Sequence, residues 1–263
     1  MSTSINAYKN IFDNLKNLFS FIPSSSNITV IRELCLTIKN DLAILYPSIF
    51  DNNKQQDAHE AFLKICEILD NATKSVLFTS SQPDPLGLDY DSIIKRLFFG
   101  IQKITETCSS CSYSTEKSES FFNMDISPSN NIQKTIISEW NRNSFQKTCQ
   151  ICDNTTQHLQ TISIQVKPNI LVILFKRFRF LKTGRLTKLN TEIALPEQLK
   201  IPGFFGNLIG FIDHLGTTPH SGHYVSNVKI DNTWFLCNDS LITPNTSNLN
   251  SSQVYIAFYK LTD

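Results

Sequence analysis

The chain has 263 residues, 41% hydrophobic and 11% aromatic, enough to bury one large core or one core with appendages. Its 24 basic and 23 acidic side chains are spread along the sequence and leave a net charge of +1, which gives no electrostatic footprint for nucleic acid or an anionic membrane. No run approaches the roughly 18 apolar residues of a membrane-spanning helix. The N-terminal stretch "MSTSINAYKNIFDNLKNLFS" is too polar for a signal-peptide core, so a cytoplasmic or nuclear location is expected. In a reducing compartment seven cysteines, an odd count, do not read as a disulfide framework, and Asn-x-Ser/Thr matches such as that at Asn71 are then chance.

The first hundred residues carry helical periodicity. Ile11, Leu15 and Leu18 share one face. Ile31, Leu34, Cys35, Ile38, Leu42 and Leu45 mark a second helix, and Ala58, Phe62, Ile65 and Leu69 a third. "SSQPDPLGLD", Ser80 to Asp89, is a Pro/Gly-rich loop, after which the period changes. From about Phe98 the pattern is that of strands. "TISIQV" alternates, "NILVILFKRF" is a continuous apolar run of buried-strand length, and "GNLIGFID", "YVSNVKI" and "VYIAFYKL" repeat the signal. Helices first and strands afterwards predict an α+β architecture without internal repeats.

Two CxxC pairs, "CSSC" at Cys108 and Cys111 and "CQIC" at Cys149 and Cys152, stand at the ends of one β-patterned insertion. Each pair sets two thiolates on one turn, so the four can clip two distant hairpins around a tetrahedral zinc ion; the alternative is four unrelated thiols. With sulfur in all four positions no site remains for water, which makes such a zinc structural. In "QQDAHEAF", Asp57 followed by Glu60 opens the third helix, and the pair can serve simply as N-cap and capping-box partner. In "PHSGHYVSNVKIDNTWFLCNDS", His223 sits in a glycine-bearing turn and a following strand returns Asn238 and Asp239 toward it. A general base and its orienting partner are built in this way, although a lone histidine after a turn is more often a packing residue.

In this order and at these separations, "QQDAHEAF", the paired CxxC, "HLGTTPHSGHY", "WFLCNDS" and the terminal "VYIAFYK" resemble the ubiquitin-specific protease family of deubiquitinating cysteine peptidases, over roughly residues 5 to 260. "LVILFKRFRF" is similar to that family's palm strand. The resemblance implies a single papain-like domain. Residues 1–97 would form a helical thumb, 98–165 zinc-clipped β-fingers, and 166–263 an antiparallel β-palm, the whole gripping ubiquitin. It also implies roles: His223 as general base, Asn238 as its orienter with Asp239 able to share that task, and Asp57 and Glu60 facing the arginine-bearing ubiquitin tail. His214, Gly222 and Tyr224 would line the channel for the tail's terminal glycines.

The family's nucleophile lies in a segment similar to "GNTCYMNS", its cysteine at a helix N-terminus where the dipole favours thiolate. Nothing in the chain matches it. The nearest register lays "NAYKNIF", Asn6 to Phe12, on that segment, so that Tyr8 and Asn10 coincide with its tyrosine and asparagine and Ala7 stands in place of the thiol. The family's upstream asparagine, an oxyanion donor, has no counterpart either. Cys35 and Cys66 fall on apolar helical stripes as inert packing, and Cys237 lies on a strand away from any helix N-terminus. Three readings follow: a catalytically silent family member that recognises ubiquitin and its tail, an active deubiquitinase whose cysteine segment is missing from this chain, and a zinc-stabilised scaffold that binds no ubiquitin. The absent thiol favours the first.

Overall fold

The computed structural model describes residues 9–17, 28–50, 55–76, 90–141, 143–218, 221–245 and 249–262. Ala7, Leu18 and the loop from Ser80 to Asp89 lie outside the described residues, as does the side chain of Ile31. Among the described residues no helix is long and apolar enough to cross a membrane.

The N-terminal part is helical. Helix α1 covers residues 9–17, followed by α2 (Ile28–Leu45), α3 (Pro47–Phe50) and α4 (Ala58–Thr73). Ile11 and Leu15 of α1, Ile38 and Leu42 of α2 and Ile68 of α4 close on one another as a small core. Cys35 does not join it. The buried face of α2 follows Ile38 and Leu42, with Leu45 against it, and Cys35 is carried outside that stripe into solvent. Cys66 is buried, and desolvation pushes its thiol up to about 12, the condition of a packing residue.

Two short strands, β1 (Ser75–Val76) and β2 (Tyr90–Asp91), pair antiparallel before α5 (Ile93–Phe98). Ser92 caps α5 by accepting the Lys95 N–H at 3.0 Å. An antiparallel four-stranded sheet follows, ordered β4-β3-β7-β6 from β3 (Gly100–Cys108), β4 (Ser114–Phe121), β6 (Asn143–Thr148) and β7 (Thr155–Val166).

The largest sheet contains β5 (Asn123–Ile126), β8 (Ile170–Phe175), β12 (Gln198–Ile201), β13 (Phe204–Thr218), β14 (Ser221–Ile230), β15 (Thr233–Asn238), β16 (Leu241–Pro244) and β18 (Val254–Thr262). Its order is β16-β15-β14-β13-β18-β8-β5, with β12 paired to the start of β13. The expected antiparallel pattern holds except at one edge, where β5 runs parallel to β8. Short pairs β9 (Phe178–Phe180) with β10 (Leu186–Lys188) and β11 (Ile193–Ala194) with β17 (Asn250–Ser251) complete the fold.

The continuous apolar run of β8 is explained by cover on both faces of the sheet. Leu171, Ile173 and Phe175 enter a core shared with α6 (Ile132–Asn141), β12 and β13, whereas Val172 turns to the opposite core with Cys66, Ile94 and Tyr255. On that second side Phe62 of α4 meets Phe98, Phe122 and Phe258 at centroid distances of 5.5, 5.7 and 5.5 Å. Helix α4 is thus held between the large sheet and the helical core. Helix α6 was not expected in a region that reads as β; its Ile132 and Ile136 occupy one face and are buried together.

Candidate functional site

β14 and β15 form a hairpin in which Ser226 pairs with Cys237 and Asn227 with Leu236. Continuing that ladder sets Asn238 opposite Val225, on the same sheet face as His223 two residues earlier, so the two polar side chains are diagonal neighbours. The imidazole Nε2 of His223 lies 2.6 Å from Oδ1 of Asn238. With the amide oxygen accepting, the proton resides on Nε2 and Nδ1 is left as the basic nitrogen. Asp239, in the turn after β15 with φ of 50°, reaches only 3.9 Å from His223 Nε2 and is largely exposed. Asn238 is therefore the direct partner. Cys237 shares the face of Ser226, opposite that of His223.

The strand before this histidine is irregular. β13 and β14 pair Leu215 with His223 and then Thr218 with Ser221, so β13 carries one extra residue across from Gly222. Glycines allow the close approach: a Cβ on Gly216 would lie 2.4 Å from the Ser221 carbonyl oxygen, and one on Gly222 would lie 2.6 Å from that of Leu215. Tyr224 pairs with His214, and their rings are 4.9 Å apart. His214 itself is fully buried against Tyr224, Phe178 and Tyr255. It lies directly behind Gly222, where a Cβ would come within 2.8 Å of its Nε2. Burial, and after it the nearby Lys188, hold His214 below the usual imidazole range, so it is a neutral packing ring.

Asp57 caps α4 through Oδ1, which accepts the N–H groups of His59 and Glu60 at 2.8 and 3.0 Å. Its Oδ2 accepts the Tyr255 hydroxyl at 2.6 Å. Both oxygens are thus used within the fold, while Glu60 one turn on is exposed. Sequence reasoning missed Tyr255; the only available signal was its place beside the apolar core of β18. It also missed Lys188 and Gln253, which meet behind His214.

Cys108, Cys111, Cys149 and Cys152 converge, with all four sulfur atoms within 4.8 Å of one another. Cys108 and Cys152 are 3.9 Å apart and Cys111 and Cys149 are 3.7 Å apart; sulfurs at about 2.3 Å from a tetrahedral ion would be about 3.8 Å apart. The two turns are near copies. In each, the residue after the second cysteine is left-handed, Ser112 at φ 60° and Asp153 at φ 53°, and its N–H returns to the carbonyl of the first cysteine at 3.0 and 2.9 Å. The Cys108 thiol is held down to about 5, chiefly by the Thr156 hydroxyl and then the Cys111 N–H. Cys152 is pushed up to about 12 by hydrogen bonding with its neighbour thiols, Cys111 first. The donor set fits a metal ion.

Residues 2–259 match the family described as "Ubiquitin carboxyl-terminal hydrolase". Similar curated proteins include ubiquitin carboxyl-terminal hydrolase 25 of Arabidopsis thaliana, 27% identical over 82% of this chain and 35% of its own length. Ubiquitin carboxyl-terminal hydrolase 4 of the same plant is 28% identical over 90% of this chain and 73% of its own. Among solved structures, the SAGA Ubp8/Sgf11/Sus1/Sgf73 DUB module bound to ubiquitin aldehyde has a similar fold, with a TM-score of 0.73 at 21% identity over 88% of this chain and 54% of that one. The module bound to monoubiquitin gives 0.74 at 21% identity, over 95% and 63%. The chain therefore spans about a third of the first relative and just over half of the first of these structures. With a family match over nearly its whole length, the chain belongs to the ubiquitin carboxyl-terminal hydrolase family.

Proposed function

We propose that the chain recognises ubiquitin and its C-terminal tail, and that residues 1–263 by themselves do not hydrolyse the bond that follows the tail. The observation that carries the reading is the contact of His223 Nε2 with Asn238 Oδ1 at 2.6 Å beside a bulged, glycine-walled strand end. Gly222 and Tyr224 offer a narrow wall to a glycine-ended peptide, with His214 packed behind it. The carboxylates of Asp57 and Glu60 provide the negative charge that an arginine-bearing tail would meet, Glu60 by direct contact and Asp57 through its field. Residues 1–97 act as thumb, 98–165 as fingers and 166–263 as palm. A structural Zn²⁺ held by Cys108, Cys111, Cys149 and Cys152 fixes the fingertip and supplies no catalytic water. The free thiols suit a cytoplasmic or nuclear setting.

For hydrolysis a thiol must stand within hydrogen-bond reach of the basic imidazole nitrogen. Cys66 is buried with a raised pKa, Cys35 is exposed on α2, and Cys237 projects from the other sheet face. Removal of a triad's nucleophile costs on the order of 10⁶ in turnover. The preserved His223–Asn238 pair favours a second reading, an active deubiquitinase that acquires its cysteine from sequence outside these residues.

Calorimetric titration with ubiquitin tests the first reading: saturable binding that Glu60→Lys weakens is expected, and no heat at high micromolar concentration would leave only a scaffold. Incubation with a fluorogenic ubiquitin C-terminal conjugate should give no turnover. Turnover that His223→Ala abolishes would establish the enzyme instead.

A further inference from the structure

Lys188, at the end of β10, is buried at 7% exposure, a rare state for lysine. Its ammonium donates to the carbonyl of His214 at 2.5 Å, to that of Gly216 at 2.9 Å and to Oε1 of Gln253 at 2.7 Å. Three N–H bonds thus meet three acceptors. The location explains why those carbonyls need a donor. β13 pairs with β18 only as far as Asp213 opposite Val254, while against β14 it still pairs His214 with Tyr224 and Leu215 with His223 before shifting register up to Thr218, so His214 and Gly216 lie beyond the β18 ladder. Buried carbonyls beyond the end of a ladder must be satisfied elsewhere.

Gln253 completes the brace. Its backbone carbonyl accepts the His214 N–H at 2.9 Å while its side chain holds Lys188. The charged and titratable groups around the ammonium are Arg177, Asp213 and His214. Burial, and then Arg177, draw Lys188 down to about 8, with Asp213 opposing, so it is mainly cationic at neutral pH. A lysine on the β9–β10 hairpin therefore fixes the segment that faces Gly222 and pairs Leu215 with His223.

We infer that Lys188 is a positioning residue for the tail channel: by pinning the His214 and Gly216 carbonyls it sets the distance between the Gly216–Gly222 backbone and the His223 imidazole. The inference rests on the ubiquitin-tail reading above. Methionine at this position keeps the length and removes the donors. In Lys188→Met, the affinity that the tail contributes, read as the ratio of dissociation constants for ubiquitin lacking its terminal glycines and whole ubiquitin, should shrink about tenfold, the scale of one hydrogen bond to a charged group. Affinity for the shortened ubiquitin should hold, and the NMR titration midpoint of the His223 ring should move. Lys188→Arg should recover part of both effects. Equal weakening toward both ubiquitins, or an unchanged ratio with an unmoved His223 midpoint, would overturn the assignment. If the methionine variant does not fold, Lys188→Gln, which retains two donors, is read by the same criteria. Should the unaltered chain bind no ubiquitin, the parent reading fails, and the His223 midpoint alone then decides for Lys188, moved in its favour or unmoved against it.

Discussion

The Tyr255 hydroxyl donates to the Asp57 carboxylate at 2.6 Å, joining a strand near the C-terminus to the cap of α4 across 198 positions of sequence. Burial, then this bond and the charge on Asp57, push the tyrosine far above its usual range, so it remains a donor at every ordinary pH. Asp57→Ala removes a cap, worth about 1 kcal/mol, and strands a half-buried hydroxyl, costing roughly another 1–3 kcal/mol. Urea denaturation should show a loss of about 2–4 kcal/mol, and Asp57→Asn, whose oxygen keeps the cap while its NH2 takes the Oδ2 place and can donate to the tyrosine oxygen, should lose less than half of that. If Asp57→Ala leaves stability unchanged while abolishing ubiquitin binding, the carboxylate serves the partner and not the fold.

The cysteine cluster closes one end of the four-stranded sheet, whose other end joins the main core through Phe121, with Ile164 packed against it. Elemental analysis should find one zinc per chain. A strong chelator should raise hydrogen exchange in β3, β4, β6 and β7 near the cysteines while amides of β8, β13 and β18 stay protected, since Leu171, Ile173 and Tyr259 are packed in the main core at the far end from the cysteines. Parallel loss of protection in both sheets would show that the metal supports the whole fold. Cys149→Ser should weaken zinc retention and exchange faster at the same strands.

Asp213 accepts from Asn227 at 3.3 Å and from Ser251 at 3.2 Å beneath the site. Burial pushes its carboxyl up to about 6, against the opposing pull of Ser251, Arg177, Asn227 and Lys188. The folded chain therefore holds this proton at pH values where the unfolded chain has released it. The group's contribution is fully present below about pH 4 and is lost as pH rises through about 6. Denaturant titrations of the chain and of Asp213→Asn should show a stability difference that changes by on the order of 2 kcal/mol between those limits, in favour of the asparagine at the higher pH. A difference that does not vary with pH would mean the carboxyl ionises normally.

Local signals made part of this molecule legible. The β8 run is apolar because both faces of its strand are covered, and His223 and Asn238 sit on adjacent strands of one hairpin, so sequence spacing brings them together. The twin CxxC turns announce themselves by residue type alone. Cys35 was misread because its helix has one narrow partner face, which a periodic pattern cannot narrow by itself. Helix α6 is one buried pair, Ile132 and Ile136, amid strand-like sequence. Tyr255 with Asp57 and Lys188 with Gln253 depend on long-range pairing, and the register shift that leaves Tyr255 unpaired between β18 and β13 leaves no mark in composition.

Gly222 offers a test of the proposed channel wall that removes no side chain. A Cβ there would lie 2.6 Å from the Leu215 carbonyl oxygen, 2.8 Å from His214 Nε2 and 3.0 Å from the Gly216 Cα. Two of these neighbours are backbone and the third is a buried ring, so none can yield as a flexible side-chain tip would. Gly222→Ala should therefore push the end of β13 away from β14, at a cost of roughly 1–3 kcal/mol typical of overpacking. Because His223 follows directly, its ring should shift against Asn238, seen as a changed Nε2 resonance, and whole ubiquitin should bind more weakly while ubiquitin without its terminal glycines binds as before. Gly184→Ala is the control: nothing lies within 4 Å of its Cβ, and although its φ of +78° carries some strain, it should leave both the His223 resonance and ubiquitin binding unchanged. An alanine at 222 that is silent in both measurements would mean that the strand end is not the wall of the channel.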